Sequence, residues 1–555
     1  MRALLPLILA FTCAPLTPAS RTLSPPAARG TTNDFDIIIA NGDVIDGSGR
    51  ARFRADVGIR SDTIAVIGDL RHATAATKID ASHQVVAPGF IDLLGHSEGA
   101  VLIDPKLEGK VRQGVTTEVT GEGHSPGPIN DAMAAEMMRT RPPGFPDVTW
   151  RSLADFMKVV ETRGSAINFA FFIGAANSRE IVIGTADRPA TPEELARMKA
   201  MTGDALRDGA IGLSTALIYP PGRFATTDEL IALASVTPGY WTHLRSESDN
   251  IMSALDEAFR IGREAKIPVN IFHIKVGGSM RGHMPDVIAK IEAEQKRGLD
   301  VEANIYPYTA TSTDLTSIAP AWALDGGYLA FVARLKDPTT RARIASALRV
   351  GDGSTILIRN LPQAPPEMKQ HERKYLNAIA AALQTTPAEA ALRMFEVSNS
   401  SPIAIYFGLR EDDMQYALEQ PWVAIGSDSG AVVGAARDVG AHPRAYGTFP
   451  RVLGHYVRDV HLFTLEEAVR KMTSLAASRA RFADRGLLRS GMKADVVVFD
   501  PNTIRDVSTY EDPHHFSEGI SNVVVNGKPV LREGKMTGEL PGRVLRNVAP
   551  ASRRP

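Results

Sequence analysis

Cysteine is nearly absent: among 555 residues only Cys13 carries a thiol. It lies in MRALLPLILAFTCAPLTPAS, a basic start followed by a short apolar run and small residues, the make-up of a secretory signal cleaved near Ala19 to Ser20. The residues before it, Ala10, Phe11 and Thr12, make a poor lipoprotein signal. A mature chain without that segment has no disulfide, thiolate nucleophile or cysteine metal ligand. An excess of either charge is also missing. The 62 basic and 63 acidic residues leave a net charge of -1, so no global field favours nucleic acid or an anionic membrane. Basic residues do not cluster with aromatics, which gives a nucleic-acid role little support. No later apolar run is long enough to span a bilayer, and the signal segment makes a secreted or periplasmic mature chain the expectation.

What is present is a 44% hydrophobic chain, enough for a large core in more than one domain. Residues 1–20 read as the signal peptide and 21–33 as a flexible lead-in rich in Pro, Ala, Ser and Thr. From Asp34 short apolar runs alternate with Asn-Gly, Gly-Asp and Ser-Asp turns, as in antiparallel hairpins. The same texture returns in KADVVVFDP and SNVVVNGKPVLREGK near the C-terminus. Residues 34–86 and 481–548 are therefore expected to form one small β-sandwich from both chain ends. Between them, over 87–480, eight β-type runs alternate with amphipathic helical stretches, from VVAPGFIDLL to WVAIGSD. This is the pattern of an α/β fold, a (β/α)8 TIM-like barrel. A long interruption at about 315–399 precedes the last strand and is expected to be a helical insertion or lid.

Four of the apolar runs end on residues suited to metal or proton chemistry. They are IDLLGHSE with His96, YWTHLRSE with His243, NIFHIKVGG with His273 and VAIGSDSG with Asp428. A hydrolytic metal needs neutral imidazoles and carboxylates converging from different strands, with one coordination position left for water. Strand ends on one rim of a barrel supply that convergence. The Gly47-Ser48-Gly49 stretch is a turn, since no strand-to-helix phosphate context surrounds it.

Several longer blocks resemble the amidohydrolase superfamily, and within it the N-acyl-D-amino-acid deacylases. They include APGFID (Ala87 to Asp92), QGVTTEVTGEG (Gln113 to Gly123), GLSTALIYPPGRF (Gly212 to Phe224) and THLRSE (Thr242 to Glu247). FHIKVGG (Phe272 to Gly278), YPYTATST (Tyr306 to Thr313), GSD (Gly426 to Asp428), HPRAYGTFPRVLGHY (His442 to Tyr456) and KADVVVFDP (Lys493 to Pro501) extend the resemblance over nearly the whole mature chain. It implies a TIM barrel with a terminal β-sandwich. The activity implied is zinc-dependent cleavage of the N-acyl amide of N-acyl-D-amino acids, with water as nucleophile.

Two departures bear on the site. The family's first strand ends in His-x-His, whereas this chain has Leu94, Gly95 and His96. The family also places a cysteine ligand where this chain has Gly123, flanked by Glu122 and His124. Glu122 is favoured as the replacement because a carboxylate keeps an anionic ligand on zinc, with His124 as the alternative. The expected metal set is then Glu122, His243 and His273 on one tightly held Zn2+. A second metal near His96 and Asp428 would be weak or absent, and His96 reads equally well as a polar residue of the rim. No lysine in GLSTALIYPPGRF is available as a carboxylated bridge.

Asp428 is the expected proton carrier, taking a proton from zinc-bound water and passing it to the departing nitrogen. Arg444 matches the family arginine for the substrate α-carboxylate, with Arg437 as a possible substitute. Lys275, Tyr219, Tyr306 and Ser312 match further pocket positions of the family. His514 and His515 fit a loop role better than a metal role. Two other readings stand beside this one: an amidohydrolase of a cyclic amide or dipeptide, and an inactive barrel that only binds its ligand.

Overall fold

The computed structural model describes residues 33–438 and 440–547. The expected signal segment, and all but the last residue of the lead-in, lie outside the described residues.

Eight strands form the barrel: Phe90–Gly95, Val115–Thr120, Asn168–Phe171 with its continuation Ile173–Gly174, Leu213–Ala216, Tyr240–His243, Val269–Ile271, Val301–Ile305 and Val423–Ile425. All neighbouring pairs are parallel. A parallel bridge from Gly95 to Ser429 joins the last strand to the first. The strands are buried on both faces; FIDLLG and NFAF are largely apolar, whereas VTTEVT buries its threonines and Glu118 as well.

The helices between them follow local signals. Pro192–Asp208 starts with Thr191 as N-cap, Pro192 in the first turn and Glu194 closing a capping box, and it stops at Gly209 with φ 120°. Ile251–Ala265 turns Ile251, Leu255, Ala258 and Phe259 onto the barrel. Inside the barrel Ile91, Leu94, Val119, Ala170, Phe172, Trp241, Phe272 and Ala424 make an apolar plug. The Phe172 and Trp241 rings lie 4.8 Å apart, and any Cβ at Gly212 would fall 2.1 Å from the Trp241 ring. That plug precedes the strand ends and forms the floor on which polar residues stand.

Both chain ends share one nine-stranded sheet. Val496–Phe499 pairs antiparallel with Val85–Pro88, fastening the C-terminal strands to the N-terminal ones. In the first strand, residues up to Ala40 pair with 75–80, while Asp43 and Val44 pair with Val85 and Val86. A bulge between Ile39 and Gly42 marks the change of partner. Ile37, Ile39, Val57, Ile59, Val86, Val496 and Val498 pack together as a core of this β-domain, joining residues from both chain ends.

The insertion holds helices at Gly327–Arg334, Pro338–Ala347, Leu376–Ala382 and Pro387–Val397, and beside them a sheet that was not expected. It begins with the strand Ala310–Asp314 and carries a four-stranded antiparallel sheet completed by Ile356–Asn360, Lys374–Tyr375 and Ile403–Phe407. Its own core includes Phe331, Ile344, Ile358, Leu376 and Phe395. The β-branched and aromatic runs TILIRN and IAIYF are short and isolated among helices, so periodicity alone does not separate them from helical text.

Candidate metal and substrate site

The five metal-site candidates converge just past the strand ends. His243 is the last residue of its strand, His96 follows its strand by one residue, and Glu122, His273 and Asp428 follow theirs within three. Glu122 lies at the centre. One carboxylate oxygen is 2.8 Å from His243 Nδ1 and 3.3 Å from His273 Nε2. The other is 3.3 Å from His96 Nε2, which itself lies 3.2 Å from Asp428 Oδ1. Two groups therefore have ligand atoms within 4.8 Å of one another: Glu122 with His243 and His273, and His96 with Glu122 and Asp428.

The local backbone explains why Glu122 takes this place. Gly121 and Gly123 have φ of 105° and 66°, conformations that suit glycine. A Cβ on Gly123 would lie 2.6 Å from the Ala216 Cβ and 2.9 Å from its amide nitrogen. A side chain at that position would need the neighbouring strand to move, and the carboxylate that reaches both imidazoles belongs to the adjacent residue, Glu122. His124, the alternative, stands at the cavity margin with an exposed side chain and pairs with Glu180 at 3.2 Å. Leu94, at the first histidine position of the usual pair, is fully buried in the apolar plug.

His273 and Asp428 adopt φ of 34° and 49°, disfavoured for these residues by about 1–3 kcal/mol each. The His273 amide donates to Asn304 Oδ1 at 2.7 Å and the Asp428 amide to the Leu94 carbonyl at 2.8 Å. These bonds hold a strained rim in place.

A second carboxylate, Glu247, stands behind both histidines. Its oxygens lie 3.4 Å from His243 Nε2 and 3.0 Å from His273 Nδ1, the nitrogens facing away from Glu122. Lys275 Nζ closes this layer, 2.6 Å from Glu247 and 2.7 Å from His273 Nδ1. Partners of this kind fix ring orientation in metal-bound histidines. Burial disfavours a charged His243, but Glu247 and Glu122 outweigh it and raise its pKa to about 9. Burial would raise Glu122, yet His273 and His243 hold it well below the usual carboxylate range. Two imidazoles and a carboxylate gathered in one buried pocket fit a divalent cation of the zinc type.

Asp428 is likewise held low despite burial, chiefly by Arg444 and then by His273 and His96. Arg444 Nη1 lies 2.9 Å from Asp428 Oδ2, and Nη2 donates to the Ser312 carbonyl at 3.2 Å. Its guanidinium sits 4.6 Å over the Tyr306 ring, and Nε makes no well-aligned hydrogen bond among the described residues. Tyr219 hydrogen-bonds Thr313 and places its ring 5.6 Å from that of His243.

A cavity of about 750 Å3 opens over these groups. His96, Glu122, Tyr219, His243, His273, Lys275, Tyr306, Ser312, Asp428 and Arg444 all line it. Every metal, catalytic and substrate candidate favoured from the sequence thus borders one space. Arg437 does not; it is exposed and lies 5.5 Å over the Phe516 ring. His515 pairs with Asp512 at the surface and His514 bonds Tyr446.

Other residues of the site were not among the candidates read from the sequence, although Glu247 closes the THLRSE block. Glu247 sits four positions after His243. Beneath the rim, Lys110 is fully buried, with Nζ 2.6 Å from Asp92, 3.1 Å from Glu118, 2.9 Å from Ser427 Oγ and 2.7 Å from the Ser429 carbonyl. Asp92 accepts from the Ser427 amide, and Glu118 from the Ser97 amide and hydroxyl. The charged knot therefore anchors the neighbours of both Asp428 and His96.

A family model described as "Amidohydrolase family" matches residues 380–531. The D-aminoacylase of Alcaligenes xylosoxydans xylosoxydans is 38% identical over 528 residues, 94% of this chain and all of that protein. A solved structure of a D-aminoacylase, described for its binuclear metal centre with one-metal activation and second-metal attenuation, is 36% identical. It matches with a TM-score of 0.79 over 92% of this chain and 100% of that one. An N-acyl-D-glutamate deacylase from Bordetella bronchiseptica, solved with zinc and a phosphonate inhibitor, is 33% identical. It gives a TM-score of 0.78 over 92% of this chain and 99% of that one. With this identity over the whole barrel and β-domain, the chain belongs to the D-aminoacylase family of amidohydrolases, enzymes that hydrolyse carbon–nitrogen bonds of amides.

Proposed function

We propose that the chain hydrolyses the N-acyl amide bond of N-acyl-D-amino acids, using one zinc held by Glu122, His243 and His273. The observation that carries this reading is the placement of that ligand set beside Asp428 and Arg444 in one cavity. Zinc, when bound, activates water and polarises the acyl carbonyl, so no protein nucleophile is required. Asp428, kept ionised, accepts the proton of the attacking water and delivers it to the amide nitrogen, which cannot leave as an anion. Arg444 takes the substrate α-carboxylate, for which its planar fork is suited, and thereby sets the amide over Asp428. Glu247 and Lys275 keep the two imidazoles oriented.

The second group, His96 with Glu122 and Asp428, lacks the imidazole that Leu94 replaces, so it would bind a further metal weakly. An N-terminal signal would place the activity in the periplasm or outside the cell. Fractionation of cells expressing the full chain tests that location: retention in the cytosol contradicts it. The decisive experiment for function is a panel of N-acetyl D- and L-amino acids assayed for free amine. Turnover confined to D-substrates supports the reading, and preference for L-substrates or no turnover rejects it.

A further inference from the structure

One acid of the cavity has no partner. Glu122, Glu247 and Asp428 are each held by imidazoles or cations. Asp314 lines the same space, but its carboxyl makes no ion pair or hydrogen bond among the described residues. It precedes the short turn Leu315–Ile318, where an aspartate would ordinarily cap the backbone, yet its side chain accepts no capping hydrogen bond. Water in the cavity still reaches the side chain, but the walls crowd it enough to push its pKa up to about 6, with no cation to offset the burial. The cations on the same walls are engaged elsewhere: Lys275 with Glu247 at 2.6 Å, Arg444 with Asp428 at 2.9 Å and Arg359 with the Gly440 carbonyl at 2.8 Å. The sequence of 435–439 holds one cation, Arg437, which lies over the Phe516 ring.

The strand places Asp314 where a substrate side chain would reach it. Asp314 ends the strand Ala310–Asp314, and the two-residue period of a strand puts it on the same face as Ser312. The Ser312 carbonyl accepts from Arg444 Nη2 at 3.2 Å, so Ser312 marks the end of the cavity where the substrate α-carboxylate would lie. Asp314 stands about 7 Å farther along the strand. A four-carbon stem with a terminal ammonium covers that span. Directly across the ladder from Asp314 is Ile403, which also lines the cavity. It offers an apolar surface for the methylenes of such a stem while the charged head meets the carboxylate. An ionised carboxylate without a counter-ion beside an apolar wall of a substrate cavity is a cation subsite.

We propose that Asp314 binds a cationic side chain of the substrate, so that the preferred N-acyl-D-amino acids carry an ammonium or guanidinium group, as D-lysine and D-arginine do. This rests on the hydrolysis reading above and adds the substrate class. Asp314 is then a specificity residue that touches the substrate far from the reacting amide, and the cavity of about 750 Å3 has room for the long side chain.

The test compares kcat/KM of the zinc enzyme on pairs matched in shape: Nα-acetyl-D-lysine against N-acetyl-D-norleucine, and Nα-acetyl-D-arginine against N-acetyl-D-citrulline. The wild type is expected to favour the basic member of at least one pair. In Asp314→Asn the basic-to-neutral ratio for that pair falls about 10- to 100-fold, the range for losing a charged hydrogen bond, while Asp314→Glu keeps part of it. Asparagine preserves the shape, and the carboxyl makes no hydrogen bond on which the fold depends, so the variant is expected to fold. A ratio unchanged by Asp314→Asn, including equal loss on both members, overturns the proposal, because Asp314 then serves the fold or the cavity in general. No basic preference in the wild type overturns it as well, with hydrolysis of neutral N-acyl-D-amino acids leaving the parent reading intact. Absence of turnover on every D-substrate removes both.

Discussion

Replacing Lys110 with methionine tests how the rim is held. Its ammonium sits in a fully buried knot with Asp92 and Glu118, and burial, although it opposes the charge, is outweighed by those two carboxylates. Lys110→Met keeps the side-chain volume but leaves two negative groups facing each other without their cation. Breaking a buried ion pair from one side costs about 3–5 kcal/mol. Glu118→Gln alone leaves a neutral Lys110–Asp92 pair, and glutamine still accepts from the Ser97 amide, so it should be mild. In the double variant only Asp92 remains uncompensated, so Glu118→Gln should recover stability in the Lys110→Met background by about 1–3 kcal/mol of coupling. Urea unfolding of the four proteins, followed by circular dichroism, reads this cycle. Because Lys110 and Asp92 hold Ser427 and Ser429 on either side of Asp428, kcat of Lys110→Met should drop by up to about 100-fold. A Lys110→Met protein as stable as the wild type, or one that Glu118→Gln destabilises further, refutes the reasoning.

Asp428→Asn should lower kcat by about 10²- to 10⁴-fold while zinc stays bound, as proton-transfer groups do; metal loss from that variant would reassign the residue. Glu247→Gln should weaken zinc affinity by about 10- to 100-fold, measured by competition with a chromophoric chelator. In the metal-free protein His243, with its pKa raised to about 9, carries a proton near neutrality. Zinc needs the neutral imidazole, so binding expels that proton and the affinity rises with pH up to about 9, then levels. Calorimetric zinc titrations in buffers of different ionisation enthalpy measure the released proton, and a binding constant independent of pH between 6 and 9 would contradict the assignment.

The barrel was readable because short β-type runs buried on both faces, such as FIDLLG and VAI, alternate with helical stretches, some of them clearly capped like Pro192–Asp208. His243, His273 and Asp428 stood out for ending such runs, and Glu122 followed from ligand chemistry once cysteine was excluded. Lys110 could not be read in this way. Lysine in a short polar segment looks like a surface charge, and its partners lie 18 and 317 positions away along the chain. Glu247 was visible within the THLRSE block but its orientation toward both rings depends on how two strands sit side by side.

The assignment of the metal set rests on Glu122 standing where a thiolate is sterically excluded at Gly123. Zinc per chain after exhaustive dialysis, measured by plasma mass spectrometry on wild type, Glu122→Ala and His124→Ala, tests it most directly. The account predicts about one zinc in the wild type and in His124→Ala and almost none in Glu122→Ala. Zinc retained by Glu122→Ala, or lost from His124→Ala alone, would contradict it.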